Sequence, residues 1–238
     1  MAPTSAPSTA AANALSPRFL ELYAPDSPFG WPELQAMALD GVLARIHHQG
    51  FVPPQVPVTP QLRARAVAGA VPARIRQRVV AGRLSAAWIY GCAPEPDKLA
   101  LLVDASRRVS SLRGTRGCTL HEVKLGPMDV VSLGGLMVSS PLRTALDIAL
   151  HVEAKQSIAA LARLLARPQN DVRLRLLVLA IEASPRVPHK RAALEKLELL
   201  ASALVPGGPV DIEHAIDPTD GAEHVAEVLG VPHLERKL

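Results

Sequence analysis

The sequence predicts an α+β fold: a partial N-terminal winged-helix-like unit of one helix plus a β-hairpin, followed by a small mixed or antiparallel sheet backed by C-terminal helices. Three observations predict it. Strand-like runs, "KLALLVD", "CTLHEVKL" and "DVVSLGGLMVSS", are confined to the middle of the chain. Helical apolar stripes follow them. Near the N-terminus a short helix, a glycine and two short apolar runs stand in the order of the second half of a winged helix.

The first 17 residues, "MAPTSAPSTAAANALSP", have no basic start and no unbroken apolar core, so they read as a disordered leader rather than a signal peptide. Arg18 to Tyr23 has the pattern of a short helix. Pro32 to Leu39 follows as a helix, with Pro32 early and Asp40–Gly41 as its stop. In "LDGVLARIHHQGFVPP" (39–54) the branched run Val42 to Ile46, interrupted by Arg45, and Phe51–Val52 form the arms of a hairpin. His47, His48, Gln49 and Gly50 form its tip, and the proline pair ends the second arm.

A connector, "VPPQVPVTP", cannot pair as a central strand because of its prolines. Thr59 and Pro60 then open a helix through "QLRARAVAGAV", and "GRLSAAWIYGC" forms another, with Leu84, Trp88 and Ile89 on one face and an end near Gly91. The strands come next, the first two separated by the basic loop "ASRRVSSLRGTRG" and the third broken by a Gly134–Gly135 turn. Four helical runs complete the core: one from Pro141, "EAKQSIAALARLLA", one from Leu174, and "KRAALEKLELLASAL". In the last, Ala193, Leu197, Leu200 and Leu204 recur at helical spacing as one buried stripe. The expected divisions are a leader (1–17), a winged-helix-like remnant (18–58), an α+β domain (59–205) and an acidic tail (206–238).

A chain of 238 residues that is 48% hydrophobic can bury one large core or two small ones, and at 3% aromatic content the packing must be aliphatic. Cys92 and Cys118 have no metal-ligand spacing and read as reduced thiols in a cytoplasmic protein. The most apolar window, "LRLLVLAIEA", is too short to span a membrane and carries Arg173, Arg175 and Glu182 at its ends.

Charge is unevenly spread. From Gln61 to Arg116, 11 basic residues face 3 acidic ones, a local balance of +8; from Val210 onward 7 acidic residues face 2 basic ones, a balance of −5. A basic stretch of that density suits a phosphate backbone, since each cation placed on a phosphate releases counterions.

"RLSAAWIYG", a strand, an arginine-rich stretch and then "DVVSLGGLMVSSPLRTALDIA" resemble the AbiEi-type abortive-infection antitoxins, a family of winged-helix transcriptional regulators widespread in actinobacteria. The resemblance runs over roughly residues 31 to 170 and is most specific between Gly135 and Ala149. It implies an N-terminal winged helix that binds operator DNA and a C-terminal part that counteracts a nucleotidyltransferase toxin of a type IV toxin–antitoxin system. The chain departs from that pattern in three places, one of them the closing "VDIEHAIDPTDGAEHVAEVLG", which has no counterpart in it. Only "SPRFLELYAPDSPFG" precedes the Pro32 helix, so the recognition helix is expected to be shortened or lost, and Tyr90 stands where relatives often show His.

Read as a wing, the hairpin places Arg45 near phosphates and His47, His48 and Gln49 in or beside the minor groove, positioning rather than specifying. Read plainly, it is a solvent-facing turn. Arg63 and Arg65 in the following helix, and Arg107, Arg108, Arg113 and Arg116 in the basic loop, supply further phosphate contacts. The paired histidines make a poor metal site, because adjacent strand residues point to opposite faces. No metal or other cofactor is expected. The acidic tail does not match a calcium loop.

Catalysis is not expected. Ser85, His121, Asp129, Asp147 and His151 are the right residue types, yet none lies in a nucleophile elbow or another known spacing. Asp147 and His151 read as a helix-surface pair, Arg143 and Asp147 as a structural tie between helix and sheet. Two function classes remain open: a DNA-binding regulator and antitoxin that works by occupancy, and a protein-interaction module that has lost its recognition helix and binds a partner through its helical C-terminal half.

Overall fold

The computed structural model describes residues 22–26, 28–106, 117–184 and 188–204, the last without its side chain. Helix α1 (Trp31–Leu39) leads into a two-stranded antiparallel hairpin, β1 (Ala44–His47) and β2 (Gly50–Val52). Tyr23 pairs with Phe51 through two backbone hydrogen bonds of 2.8 and 2.9 Å, so the residue expected at the end of a short helix instead extends the hairpin. Leu34, Leu43 and Phe51 form a small core of their own, with Tyr23, Phe29 and Met37 packed around it.

Helix α2 (Pro60–Ala70) starts where Thr59 Oγ1 accepts the Leu62 N–H at 3.2 Å, the N-cap that the Thr-Pro pair signals. A four-residue helix, α3 (Ala73–Arg76), precedes β3 (Val80–Ala81) and α4 (Arg83–Ile89). Then come β4 (Leu99–Asp104), β5 (Cys118–Val123), β6 (Val130–Leu133) and β7 (Leu136–Ser139). The five-stranded sheet has the order β5-β4-β3-β7-β6 and is mixed: β3 runs antiparallel to β4 and parallel to β7.

The expected α+β class and the mixed sheet are therefore found, with one strand that the sequence reading lacks. That strand, β3, is two residues long and sits at the sheet's centre, joining the β4–β5 pair to the β6–β7 hairpin. Two residues are too few for a periodic pattern.

Four helices follow: α5 (Pro141–His151), α6 (Ala154–Leu165), α7 (Leu174–Ala183) and α8 (Lys190–Leu204). Ser140 caps α5, accepting the Arg143 N–H at 3.4 Å. One continuous core runs from Val67 of α2 through Ile89, Leu101, Val138 and Ile148 to Leu200 of α8. Ala193, Leu197 and Leu200 form the α8 stripe as expected, while the side chain of Leu204 lies outside the described residues. Helix α4 departs from expectation: Ser85 to Ile89 are all buried, so it is enclosed on nearly every side rather than along one face. Its Ala-rich sequence permits that, since small side chains let neighbours close in. Among the described residues no helix is long and apolar enough to cross a membrane.

Candidate nucleic-acid interface

The hairpin arms are bent by a register irregularity between Arg45 and His47, and His48 turns the chain with a left-handed φ of 31°. Gly50 seats the hairpin on α2. A Cβ there would lie 3.1 Å from Ala66 Cβ and 3.3 Å from the His47 carbonyl oxygen. With Phe51 and Val52 buried behind it, the hairpin is packed into the molecule rather than projecting from it.

That packing sorts the expected contact residues. Arg45, His48, Gln49 and Arg65 are exposed. His47 is not: its exposure is 0%, its Nδ1 lies 2.7 Å from Glu95 Oε1, and its ring centroid is 5.1 Å from that of Trp88. The expectation that His47 reaches a DNA groove is corrected, because the bend in β1 turns the imidazole inward onto α4. Its Nε2 is buried and has no hydrogen-bond partner among the described residues. The paired-histidine geometry is corrected as well. His48 has left the strand, so the two rings approach to 4.6 Å instead of facing apart. Among the described residues no group of three or more metal-type side chains occurs.

Arg63 is half-buried. Its Nη1 donates to the Trp88 carbonyl at 3.0 Å and its guanidinium lies 5.0 Å from the Trp88 ring centroid. Burial and the nearby Arg167 lower its pKa, though a guanidinium stays charged at neutral pH. It is a staple for α4, with little of its surface left for a phosphate. Trp88 thus gathers His47 and Arg63 from two elements, whereas Arg107, Arg108, Arg113 and Arg116 lie outside the described residues, as do the expected leader and tail.

Glu95 is the functional residue that sequence reading missed. Its carboxylate accepts from His47 and, at 3.3 Å, from the His48 backbone N–H, and the His47 bond holds its pKa below the ordinary glutamate value. A lone acid between prolines in "APEPD" carries no periodicity and no motif, so nothing local announces it.

A second polar cluster gathers around Arg143. Arg143 donates from Nε to Asp147 Oδ1 at 3.0 Å, and from Nη1 to Asp129 Oδ2 at 2.7 Å and to the Lys124 carbonyl at 2.9 Å. It therefore ties α5 to the segment that links β5 and β6, the structural role expected of the Arg143–Asp147 pair. Asp147 is directed to Arg143 rather than to His151, which corrects the expected surface pair. Burial, only partly offset by Arg143, holds the Asp147 carboxyl above its usual range. Nearby, Arg83 sits at φ 51° and meets His121 Nε2 at 3.3 Å. Ser85 Oγ accepts the Ala100 N–H at 2.8 Å, so it and His121 are held by separate partners. Tyr90 donates its hydroxyl to the Ser139 carbonyl at 2.7 Å and pins the end of α4 to β7.

No protein-family model matches this sequence, and no curated protein matches it. The likeness to AbiEi-type antitoxins stands on the quoted segments alone.

Proposed function

We propose that this protein is a DNA-binding transcriptional regulator of the AbiEi antitoxin type, acting in the cytoplasm by occupying double-stranded DNA without catalysis. The observation that supports the reading best is the clamped hairpin. Its second arm, Gly50–Val52, is buried and His47 is fixed by Glu95 and Trp88, so the exposed Arg45, His48 and Gln49 are presented on a held turn. A wing needs that arrangement: rigid backbone, exposed cation, polar tip. Arg65 of α2, exposed in the helix on which the hairpin rests, extends the same basic region.

One observation favours a second reading, partner binding. Helix α1 occupies the position immediately before the hairpin, yet Glu33 is its only charged residue, its end residues Trp31 and Leu39 are exposed, and so is Val42 just after it. An acidic and apolar surface suits a protein rather than DNA, and it adds an N-terminal face to the helical C-terminal half through which partner binding is expected.

Fluorescence anisotropy with a labelled duplex from the protein's own upstream region, against a scrambled duplex at low and near-physiological salt, tests the proposal. Preference for the own-promoter duplex that survives salt supports the regulator. Binding that is absent, or equal and salt-labile for both, overturns it in favour of the partner-binding module.

A further inference from the structure

His121 and His151 take no part in the hairpin face, and both stand near Arg83. Arg83 opens α4 in the left-handed region, at φ 51°, directly after Gly82, where a Cβ would lie 2.5 Å from Leu102 Cγ. A side-chain-bearing residue persists in that region only where its surroundings hold it. His121 of β5 supplies such a hold: its Nε2 lies 3.3 Å from Arg83 Nη1. Among the described residues this is the one hydrogen bond of the guanidinium, whose Nε is buried without a partner.

A guanidinium carries donors only and stays charged. His121 Nε2 must therefore be the acceptor, a bare lone pair on a neutral ring whose proton sits on Nδ1. A proton added at Nε2 turns the acceptor into a donor and sets imidazolium against guanidinium. From α5, His151 faces both members of the pair and Asp147 faces Arg83; His151 in turn faces Arg143, His189 and Lys196. Asp147 is already bound by Arg143, and every other group in this set is a cation or becomes one in acid. Burial, then Arg83 and His151, hold His121 below the ordinary histidine value of 6.5.

We propose that Arg83 and His121 form a proton-sensitive latch: the contact joins the start of α4 to β5 while His121 is neutral and is lost when His121 takes up a proton. Strand β5 is at the edge of the sheet, bonded to β4 on one side, so the latch ties that edge to the helix. The sign of the pH dependence follows from linkage. The unfolded chain takes the proton first, so stability is complete above 6.5 and falls as the pH drops below it, until His121 is itself protonated. The latch does not depend on the regulator reading.

The test follows the histidine ring resonances of the full chain from about pH 8 to about pH 5. At neutral pH the ring nitrogen shifts of His121 show Nδ1 protonated and Nε2 bare; the opposite tautomer overturns the proposal. His121 takes its proton below 6.5 in the wild type. In Arg83→Gly, which suits the left-handed backbone and removes the guanidinium, that titration moves up toward the ordinary value. An unmoved titration overturns the proposal. Urea unfolding then compares the wild type with His121→Gln, which keeps an acceptor and cannot titrate. On acidification through the same range the folding equilibrium constant of the wild type falls severalfold further than that of His121→Gln, and parallel losses overturn the latch. Circular dichroism establishes that each variant is folded. The wild-type tautomer needs no variant, so the proposal can be refuted even where a substituted chain does not fold.

Discussion

His47 Nδ1 and Glu95 Oε1, 48 positions apart in sequence, lie 2.7 Å from one another, and this contact joins the hairpin to the loop after α4. Replacing Glu95 with Ala leaves a fully buried imidazole nitrogen without its acceptor, at a cost of about 1–3 kcal/mol. Glu95→Gln keeps an acceptor and costs less. Urea unfolding gives the order wild type, Glu95→Gln, Glu95→Ala in falling stability, and faster amide exchange in β1 and β2 locates the loss in the hairpin.

The same contact sets a pH dependence. Hydrogen bonding from His47 holds Glu95 below its ordinary value of 4.5. A depressed carboxylate contributes stability that is complete above the unfolded value and is lost as pH falls through the lower folded value. The stability gap between wild type and Glu95→Gln is therefore constant near neutrality and closes on acidification below about 4.5. A gap that widens as the pH drops would contradict the assignment.

Arg143 ties α5 to the segment between β5 and β6 while remaining only 12% exposed, and Asp147 beside it is 3% exposed. Arg143→Ala strands a buried carboxyl group, and breaking a buried pair from one side costs about 3–5 kcal/mol. Asp129→Asn retains a polar partner at a more exposed position and costs less. Thermal melting of the two variants ranks them in that order.

Gly134 and Gly135 both have positive φ, 53° and 79°, yet their surroundings differ. A Cβ on Gly134 would press on the Gln61 carbonyl and lie 2.8 Å from Arg65 N, backbone of α2 that cannot move aside, whereas Gly135 faces open space. Gly134→Ala therefore loses more than the roughly 1–3 kcal/mol of left-handed strain alone, and Gly135→Ala loses about that strain or less. Equal losses would remove α2 from the explanation.

Long periodic or capped elements were legible in the sequence, among them the Thr59–Pro60 start of α2, the Gly134–Gly135 turn and the α8 stripe of Ala193, Leu197 and Leu200. Their causes are local: a cap, a required backbone angle, a repeat. The central strand β3 was not legible, because two residues become a strand only between β4 and β7, partners far along the chain. The site divided the same way. Arg45, His48 and Gln49 are exposed as a polar tip implies, but the inward turn of His47 depends on a bend in β1 and on Trp88 and Glu95, none of which its neighbours in sequence reveal.

The interface makes its own prediction about which residues matter for DNA. On the proposed regulator reading the exposed Arg45 and Arg65 meet phosphates, so Arg45→Ala or Arg65→Ala weakens binding across sequences and lowers the salt slope by about 1 each. On the same reading His48→Ala and Gln49→Ala remove tip contacts and weaken binding. His47→Ala acts differently, because His47 touches Trp88 and Glu95 rather than solvent. On the regulator reading its replacement lowers DNA affinity by loosening the hairpin, and the loss is accompanied by a fall in folding stability that His48→Ala does not share. Anisotropy titrations over a salt series, paired with urea unfolding of the same variants, separate the two effects. A His47→Ala protein with wild-type stability and selectively weakened binding would mean that this side chain reaches DNA after all.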